Sequence, residues 1–544
     1  MKQWPLLSQD ANAIYPLVLL AEVVHCSLAI MEVTSNATTP PLTRPVVLYP
    51  TPGMGHLFAM VELGRALAAR GLNITVVILD PPYDTGAPAP FLAAVSAANP
   101  SIYFHRLPPP AADDLPPVAS KHYEALIIAA VRASIPHLRR LLAAPSMLTP
   151  AALVVDMFSG AALDVSMELG VPSYFFFTSG AACLAFFLHL PALHAQSAAS
   201  FRDMGDELIQ VPGIPPFPAT HAVHATMDRG DVAYGGFMDA AAGLGRCHGV
   251  IINTFRWLEA RALDAIADGR CGTPAPLVHC VGPLIKSLEF AEGDVGAGCL
   301  AWLDEQPEAS VVFLCFGSLG RFSADQTREI AVGLEASGHR FLWVVRAPPL
   351  GDGSSAEKRF QKKLSEPDLD VLLPDGFLAR TIHMGLAVKS WAPQRDVLAH
   401  RSVGGFVTHC GWNSVLEAVT AGVPMLGLPL HAEQRMNVVV LEKELRLAVA
   451  LEGYDREEGV VAAAEVASKV RWLMDSDGGK ELRERTAMAM LKAKEAVHQG
   501  GESEVALAGL VDSWMSCRSI FYIQIGKQTV REDKFVPAVE LRSK

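Results

Sequence analysis

The sequence predicts an α/β chain built as two parallel-sheet domains that face a cleft, and three observations carry the prediction. At 544 residues the chain is too long for a single core. From Val46 onward, short β-rich apolar runs alternate with helical patterns, the mark of parallel sheets. The alternation occurs twice, and the two series are separated by a linker-like stretch from Pro283 to Gly298.

The first series has strands at Val46–Tyr49, Ile74–Leu79, Ala152–Val155, Ser173–Phe177 and Val250–Asn253, with a Gly-rich turn and a helix from Leu57 to Arg70 after the first strand. The second has a strand at Val311–Phe316, a helix at Ala324–Ser337, and strands at Phe341–Arg346, Leu386–Ser390 and Val403–Thr408. A helix follows from about Trp412 through Ala418, and another over Glu502–Ser513. Leu350 to Asp370 is charged and aperiodic, so it reads as a surface loop. The apolar run Val171 to Leu190 is interrupted by Pro172, Ser173, Thr178, Ser179 and Gly180, and reads as a buried strand plus a core helix, not a membrane span. The expected division is an extension over 1–44, domains over 45–282 and 299–499 joined by 283–298, a helix over 500–515 and an atypical tail over 516–544 without helical periodicity.

Half of the residues are hydrophobic and 19% are charged, which fits a globular enzyme and excludes overall disorder. A net charge of −12 argues against nucleic-acid and anionic-membrane partners. Nine cysteines without a C-x-x-C pair point to reduced thiols in a cytoplasmic protein, not to a disulfide framework or a zinc site. The sequons Asn36-Ala-Thr38 and Asn73-Ile-Thr75 then carry no meaning. Residues 1–30 make a poor signal peptide, since Glu22 and His25 break the apolar run after Leu17–Leu20, and they read as an alternative or mis-assigned start. A monomer is expected.

The most informative stretch is Trp391 to Gln434, WAPQRDVLAHRSVGGFVTHCGWNSVLEAVTAGVPMLGLPLHAEQ. At its centre a buried strand runs through His409, Gly411 and Asn413 into a helix. A helix that starts at the carboxyl end of a strand leaves backbone N–H groups and the positive end of its dipole facing a crevice, which suits a phosphate. Gly411 lets backbone approach an anion, and Asn413 and Ser414 offer cap-type groups. Glu417, one turn past Asn413, is placed to accept from ribose hydroxyls. Singly, His409 reads equally as a core histidine and Glu417 as a solvated helix residue. The ordered set favours a nucleotide site.

This window resembles, nearly end to end, the signature box of plant UDP-glycosyltransferases, enzymes that put sugars on secondary metabolites. The resemblance implies the GT-B arrangement, two Rossmann-like domains facing a cleft, with the acceptor bound by the N-terminal domain and a UDP-sugar by the C-terminal one. By position it implies that Trp391 stacks on uracil, that Gln394 and Glu417 bond the ribose, and that His409, Asn413 and Ser414 hold the diphosphate. It further implies donor contact at Ala392, and sugar contacts from Trp412, Glu433 and Gln434. The terminal Gln resembles members that use UDP-glucose. Two positions depart from the pattern: Leu428 where the family usually has Trp, and His431 where an aromatic is common. The family's mechanism uses no metal or other cofactor, and its last helix crosses back onto the first domain, a role that Glu502–Ser513 fits.

A second site reads Val47-Leu-Tyr-Pro-Thr-Pro-Gly-Met-Gly55-His56-Leu57. Here a strand ends, a Pro/Gly turn follows, and His56 stands at the start of a helix on the carboxyl edge. The positive helix terminus disfavours imidazolium, so His56 is expected neutral and able to act as a base on a phenolic hydroxyl. The family has a histidine at this place, deprotonating the acceptor for inverting attack on the anomeric carbon. Asp156 ends the strand from Ala151. The resemblance makes it the partner that fixes the histidine tautomer, and a helix N-cap is the plain alternative. Ser318, after Gly317, is either a diphosphate contact as in the family or an ordinary turn residue.

The stretches Tyr49 to His56 and Phe316-Gly-Ser-Leu-Gly-Arg-Phe322 resemble the branch that glucosylates flavonoids and chalcones, and an acceptor pocket is expected from Phe175–Phe187 and Val211–Asp231. Rival readings are a non-catalytic nucleotide-sugar-binding protein with the same fold, an NAD-dependent dehydrogenase, and a metal-dependent transferase. The dehydrogenase would use Gly53 and Gly55 with Asp80, but has Phe58 at the third glycine position. The metal enzyme would use Asp368 and Asp370, which read better as solvated loop charge.

Overall fold

The computed structural model describes residues 44–529 apart from 81–87, 111–114, 116–119, 121, 146, 273, 286–293, 350–365 and 456–459. The expected N-terminal extension up to residue 43 lies outside the described residues, as do most of the 350–370 loop, half of the expected linker and the tail from 530.

Two parallel sheets form the two halves. The first contains β1 (Val46–Tyr49), β2 (Ile74–Ile78), β3 (Ile102–Arg106), β4 (Ala152–Asp156) and β5 (Ser173–Phe177). A short antiparallel pair, β6 (Leu208–Ile209) and β7 (Phe217–Pro218), stands apart from it. With β8 (Gly249–Ile252) and β9 (Val278–Cys280) the first sheet is complete, in the order β3-β2-β1-β4-β5-β8-β9. The second contains β10 (Val311–Cys315), β11 (Arg340–Val345), β12 (Gly385–Lys389), β13 (Val403–Thr408), β14 (Met425–Gly427) and β15 (Ala448–Ala450), in the order β12-β11-β10-β13-β14-β15. The helices that bear on function are α1 (Met54–Ala68), α2 (Tyr123–Leu142), α3 (Ala181–Gln196), α4 (Val232–Leu244), α5 (Arg256–Ala267), α6 (Ala324–Ser337), α7 (Gln394–Leu398), α8 (Trp412–Ala421), α9 (Gln434–Val440) and α10 (Glu502–Thr529).

Apart from Asp156 at the end of β4, the central strands β1, β4 and β10 are built of apolar and aromatic residues because helices cover both faces of each sheet. Every residue of β1, β4 and β10 is buried. Strand order reverses beside the first strand of each half: β1 lies between β2 and β4, and β10 between β11 and β13. At such a switch point the loops leaving neighbouring strands diverge, opening a crevice at their carboxyl ends. His56 follows β1 and Asp156 closes β4. Ser318 follows β10 and His409 follows β13.

Helix α6 matches the sequence expectation to the residue because both ends are signalled: Ser323 accepts from the Gln326 N–H at its start, and Gly338 is left-handed at its end. Elsewhere the structure departs from expectation. The helix Asp294–Asp304 begins inside the stretch read as linker. Helix α10 runs on to Thr529, past the point where periodicity was expected to stop. No proline interrupts the chain there before Pro537, and extending a formed helix adds a hydrogen bond with each residue it fixes. Strands β3, β9, β14 and β15 were not foreseen. Three of them have three residues each, and β3 carries the 61% exposed Tyr103 and ends in the polar His105 and Arg106.

The halves interpenetrate. Met436, Val439 and Val440 of α9 pack into the core of the first half, while Phe255 and Leu258 pack into the core of the second. Leu507, Leu510, Val511 and Trp514 of α10 lie with Val46 and Leu48 against the first sheet. One buried carboxylate ties this region together. Glu259 is 2% exposed and accepts from the Ala181 N–H at 2.8 Å and the Ala182 N–H at 2.9 Å, capping α3 where Gly180 has no side chain to do so. Glu259→Ala orphans both donors, so a loss of about 2 kcal/mol is expected, seen as a lower urea midpoint; an unchanged midpoint would refute the capping role.

Candidate active site

At the lip of the first sheet, His56 Nδ1 lies 2.9 Å from Asp156 Oδ2 and 3.2 Å from the Thr178 hydroxyl oxygen. Asp156 is fully buried and its other oxygen is also used: Oδ1 accepts from the Thr51 hydroxyl at 2.5 Å and from the Phe158 N–H at 3.3 Å. The sequence alternatives for Asp156 therefore coexist, one oxygen bonding the turn after β4 and the other the imidazole. With Nδ1–H donated to Asp156, Nε2 carries the lone pair, and it has no protein partner among the described residues. His56 keeps 23% of its side chain exposed and lies 5.7 Å, ring to ring, from Phe158.

The pKa of His56 moves in the direction opposite to the one that a helix terminus alone would give. Burial pulls its pKa down, but the charge and hydrogen bond of Asp156, with smaller pulls from Glu433 and Glu124, outweigh it and leave the pKa raised above the ordinary imidazole value. The carboxylates win over the helix terminus because a charge-assisted bond at 2.9 Å is stronger than a partial charge. Glu124, in the first turn of α2, also has a raised pKa, in its case because of burial.

Across the cleft stands the N-terminus of α8. Neither α8 nor α1 has a side-chain cap at its start, so first-turn N–H groups of both helices remain open toward the space between them. The two termini meet where Asn413 Nδ2 donates to the Gly55 carbonyl at 3.1 Å. Asn413 and Ser414 are thus not caps; Ser414 Oγ accepts from Gln394 Nε2 at 2.9 Å. Gln394 also donates to Glu417 Oε2 at 2.6 Å, which gathers the three residues into one polar face.

His409 is 9% exposed and packed between backbone turns. A Cβ at Gly317 or Gly411 would fall 2.8 and 2.5 Å from its ring, and Gly317 is left-handed at φ 72°. Burial, then His431 and Arg346, pull its pKa down to about 3, so the ring is neutral. Ser318 is exposed on the same turn. Trp391 is half-buried on the loop that leads to Gln394. Three non-glycine residues are left-handed in the loops of this stretch: Ser390 at φ 63°, Cys410 at φ 61° and Ala432 at φ 54°. Each costs on the order of 1 kcal/mol or more and sits directly before, or within a residue of, a position already singled out.

Some expected residues are placed differently. The Trp412 indole is 4% exposed, lies against Gly180 and donates to the Asn253 carbonyl at 2.7 Å. Its side chain joins the two halves and is not open to a sugar. The Ala392 methyl is buried in the core of the second half. Gln434 Oε1 accepts from the Leu430 and His431 N–H groups at 2.8 and 3.0 Å, so only its amide nitrogen is available. Glu433 accepts from Ser179 at 2.9 Å, next to the Thr178 that touches His56. Phe175 to Phe177, with Phe186 and Phe187, are core residues at 0 to 2% exposure, so they do not line an open pocket as expected. The aromatic surface beside His56 comes instead from Phe158, backed by Phe237 at 5.2 Å.

Sequence reasoning missed Thr51, Phe158, Thr178, Ser179, Glu124 and the His122–His224 ring pair at 4.9 Å. Thr51 stands within the quoted stretch Val47 to Leu57, but its bond to Asp156, like the gathering of the others, is made only at the folded sheet edge. Asp80, the ribose acid of the dehydrogenase reading, is bonded to Arg106 at 2.5 Å. Asp368 caps the short helix Leu369–Leu372 by accepting from the Asp370 N–H. Among the described residues no three His, Cys, Asp or Glu side chains are placed to hold a metal ion, no helix is long and apolar enough to cross a membrane, and seven cysteines are free thiols.

Comparison with known proteins gives the family and the fold. Residues 294–465 match the family model described as UDP-glucoronosyl and UDP-glucosyl transferase. The chain is 42% identical over 484 residues to UDP-glycosyltransferase 1 of Pueraria montana var. lobata, covering 86% of this chain and 98% of that protein. It is 43% identical over 484 residues to phloretin 2'-O-glucosyltransferase of Pyrus communis, covering 86% and 99%. In fold it is similar to Phytolacca americana UGT2 complexed with UDP-2fluoro-glucose and pterostilbene, with a TM-score of 0.76, 36% identity, and coverage of 87% of this chain and 100% of that one.

Proposed function

Because the chain belongs to the UDP-glycosyltransferase family of GT-B enzymes, we propose that it transfers glucose from UDP-glucose to a hydroxyl of a small phenolic acceptor, with inversion. The observation that carries the proposal is the placement of the His56–Asp156 pair on one lip of the cleft and the open N-terminus of α8 on the other, linked by the Asn413–Gly55 bond at 3.1 Å. The N-terminal half binds the acceptor and the C-terminal half the donor. His56 Nε2 takes the phenol proton as the oxygen attacks the anomeric carbon. The bond from that carbon to the diphosphate oxygen breaks, and UDP leaves with the electron pair. A single displacement from the face opposite the leaving group inverts the centre. Asp156 holds the tautomer and balances the positive charge that develops on the ring.

On the donor side, Trp391 stacks on uracil, Gln394 and Glu417 bond the ribose, and His409, Asn413, Ser414 and Ser318 hold the diphosphate with the α8 N–H groups. A neutral His409 serves as a donor there, and the helix terminus supplies positive potential. The sugar lies between His56 and the Glu433–Gln434 turn, touched by Glu433 and the Gln434 amide. Trp412 and Ala392 reach the donor through backbone alone. No metal is needed in this scheme. The enzyme acts as a soluble cytoplasmic monomer.

The test is mass spectrometry of the purified protein with UDP-glucose and a panel of dihydrochalcones, flavonoids, stilbenes and simple phenols, without added metal. A product heavier by one hexose is expected. UDP binding without product on any acceptor would leave a nucleotide-sugar-binding protein. Glu417→Ala is expected to weaken UDP about tenfold while the acceptor KM changes little. The reverse order would remove Glu417 from the ribose.

A further inference from the structure

Two arginines lie together at the carboxyl edge of the second sheet. Arg321 follows the β10 turn and Arg346 follows β11, and both line one small cavity with Phe316 and Phe322. Other arginines among the described residues meet a carboxylate, as Arg380 meets Glu335 at 2.6 Å and Arg106 meets Asp80 at 2.5 Å. Among the described residues neither Arg321 nor Arg346 has such a partner. Arg346 instead donates to the Ser318 carbonyl at 3.0 Å, bracing the Gly317–Ser318 turn that packs on His409. Two partly buried like charges without a counter-ion repel each other and are poorly solvated, a combination that persists where an anion completes the site. Burial and the nearness of Arg346 pull the Arg321 pKa down, and Arg346 also depresses His409, so its field reaches the turn between β13 and α8.

We propose that Arg321 and Arg346 are anion-binding residues that draw the donor's diphosphate onto the Gly317–Ser318 turn, Arg346 also positioning that turn. The inference rests on the donor reading given above. It assigns the positive charge for a diphosphate to a guanidinium pair on β10 and β11, in addition to the α8 terminus. Arg346 holds the turn through Ser318 whether or not a ligand is bound, whereas Arg321 acts through charge alone, so the two can be separated.

The experiment is calorimetric binding of UDP, UMP and uridine to the wild type and to Arg346→Gln, Arg346→Lys and Arg321→Gln, at two salt concentrations. UDP affinity is expected to fall about tenfold in Arg346→Gln and about threefold in Arg321→Gln, with Arg346→Lys in between and uridine unchanged in all three. The salt dependence of UDP binding should be shallower in the Gln variants than in the wild type. Equal losses for uridine and UDP, or unchanged UDP affinity in both Gln variants, would overturn the assignment. A wild type that binds neither UDP nor uridine would overturn the donor reading and this inference with it.

Discussion

His56→Ala is expected to lower turnover by about 10³-fold or more while UDP affinity stays within a factor of two. The magnitude follows from the general-base role, which contributes about 10² to 10⁴ in typical cases. A phenol with its proton in place is a weak nucleophile, and no other described side chain holds a free basic nitrogen against Phe158 in this corner of the cleft. UDP should be insensitive because its proposed contacts lie on the second half, with Gln394 already bonded to Glu417 and His409 wedged against the Gly317 turn. The acceptor KM should rise modestly, since the imidazole also helps to shape the pocket. Retained turnover with a phenolic acceptor would remove His56 as the base. A parallel collapse of UDP affinity would mean that the substitution had disturbed the lobe contact at Gly55 instead. An acceptor of lower pKa should recover part of the lost rate in His56→Ala, because it is ionised without help; a purely structural defect would not discriminate between acceptors.

How much of this arrangement the sequence discloses depends on how local each feature is. The strand–turn–helix units around His56 and His409 are legible because apolar runs, glycine turns and helix starts fall within a dozen residues, and the strands are fully buried as such runs demand. The ordered spacing of Trp391, Gln394, His409, Asn413, Ser414 and Glu417 is legible for the same reason. What is not legible is contact between distant segments. Thr178 and Phe158 meet His56 only because β1, β4 and β5 are neighbours in the sheet. Trp412 is the sharper case. Its position in the box suggests a sugar contact, yet its indole is taken by Gly180 and Asn253 of the other half, and nothing near residue 412 announces how the halves dock. The run Phe175 to Phe187 misleads in another way. Its hydrophobicity fits a pocket wall and a core equally, and burial at 0 to 2% decides for the core at Phe175, Phe177 and Phe187. The direction of the His56 pKa shift was not legible because the helix terminus is visible in the sequence, whereas the 2.9 Å approach of Asp156 that outweighs it, with the smaller pulls of Glu433 and Glu124, is set only on folding.

Asp156→Asn tests those neighbours directly, and its expected effect is a loss of about 10² to 10⁴ in turnover together with a displaced pH profile. In the wild type, Asp156 accepts from Nδ1–H and leaves Nε2 as the base. An asparagine amide can turn its nitrogen toward Nδ1 and stabilise the tautomer that carries the proton on Nε2, which cannot accept a phenol proton. That accounts for a fall in rate at every pH. The sign of the pH effect follows separately. The folded His56 pKa is raised above the ordinary imidazole value, with burial opposing and the carboxylates prevailing. Since the neutral ring is the active form, turnover of the wild type should rise with pH through that raised value, and the acid limb should lie to the basic side of an ordinary histidine. Removing the charge of Asp156 leaves burial with fewer opponents, so the pKa falls and the acid limb moves to lower pH. A slower enzyme with an unmoved limb would reduce Asp156 to its bonds with Thr51 and the Phe158 N–H, a structural role in the turn after β4. The rate loss and the limb shift come from different properties of one carboxylate, its shape as an acceptor and its charge. Asp156→Glu should therefore keep the limb near its wild-type position while losing rate through misplacement of the ring, which separates the two contributions.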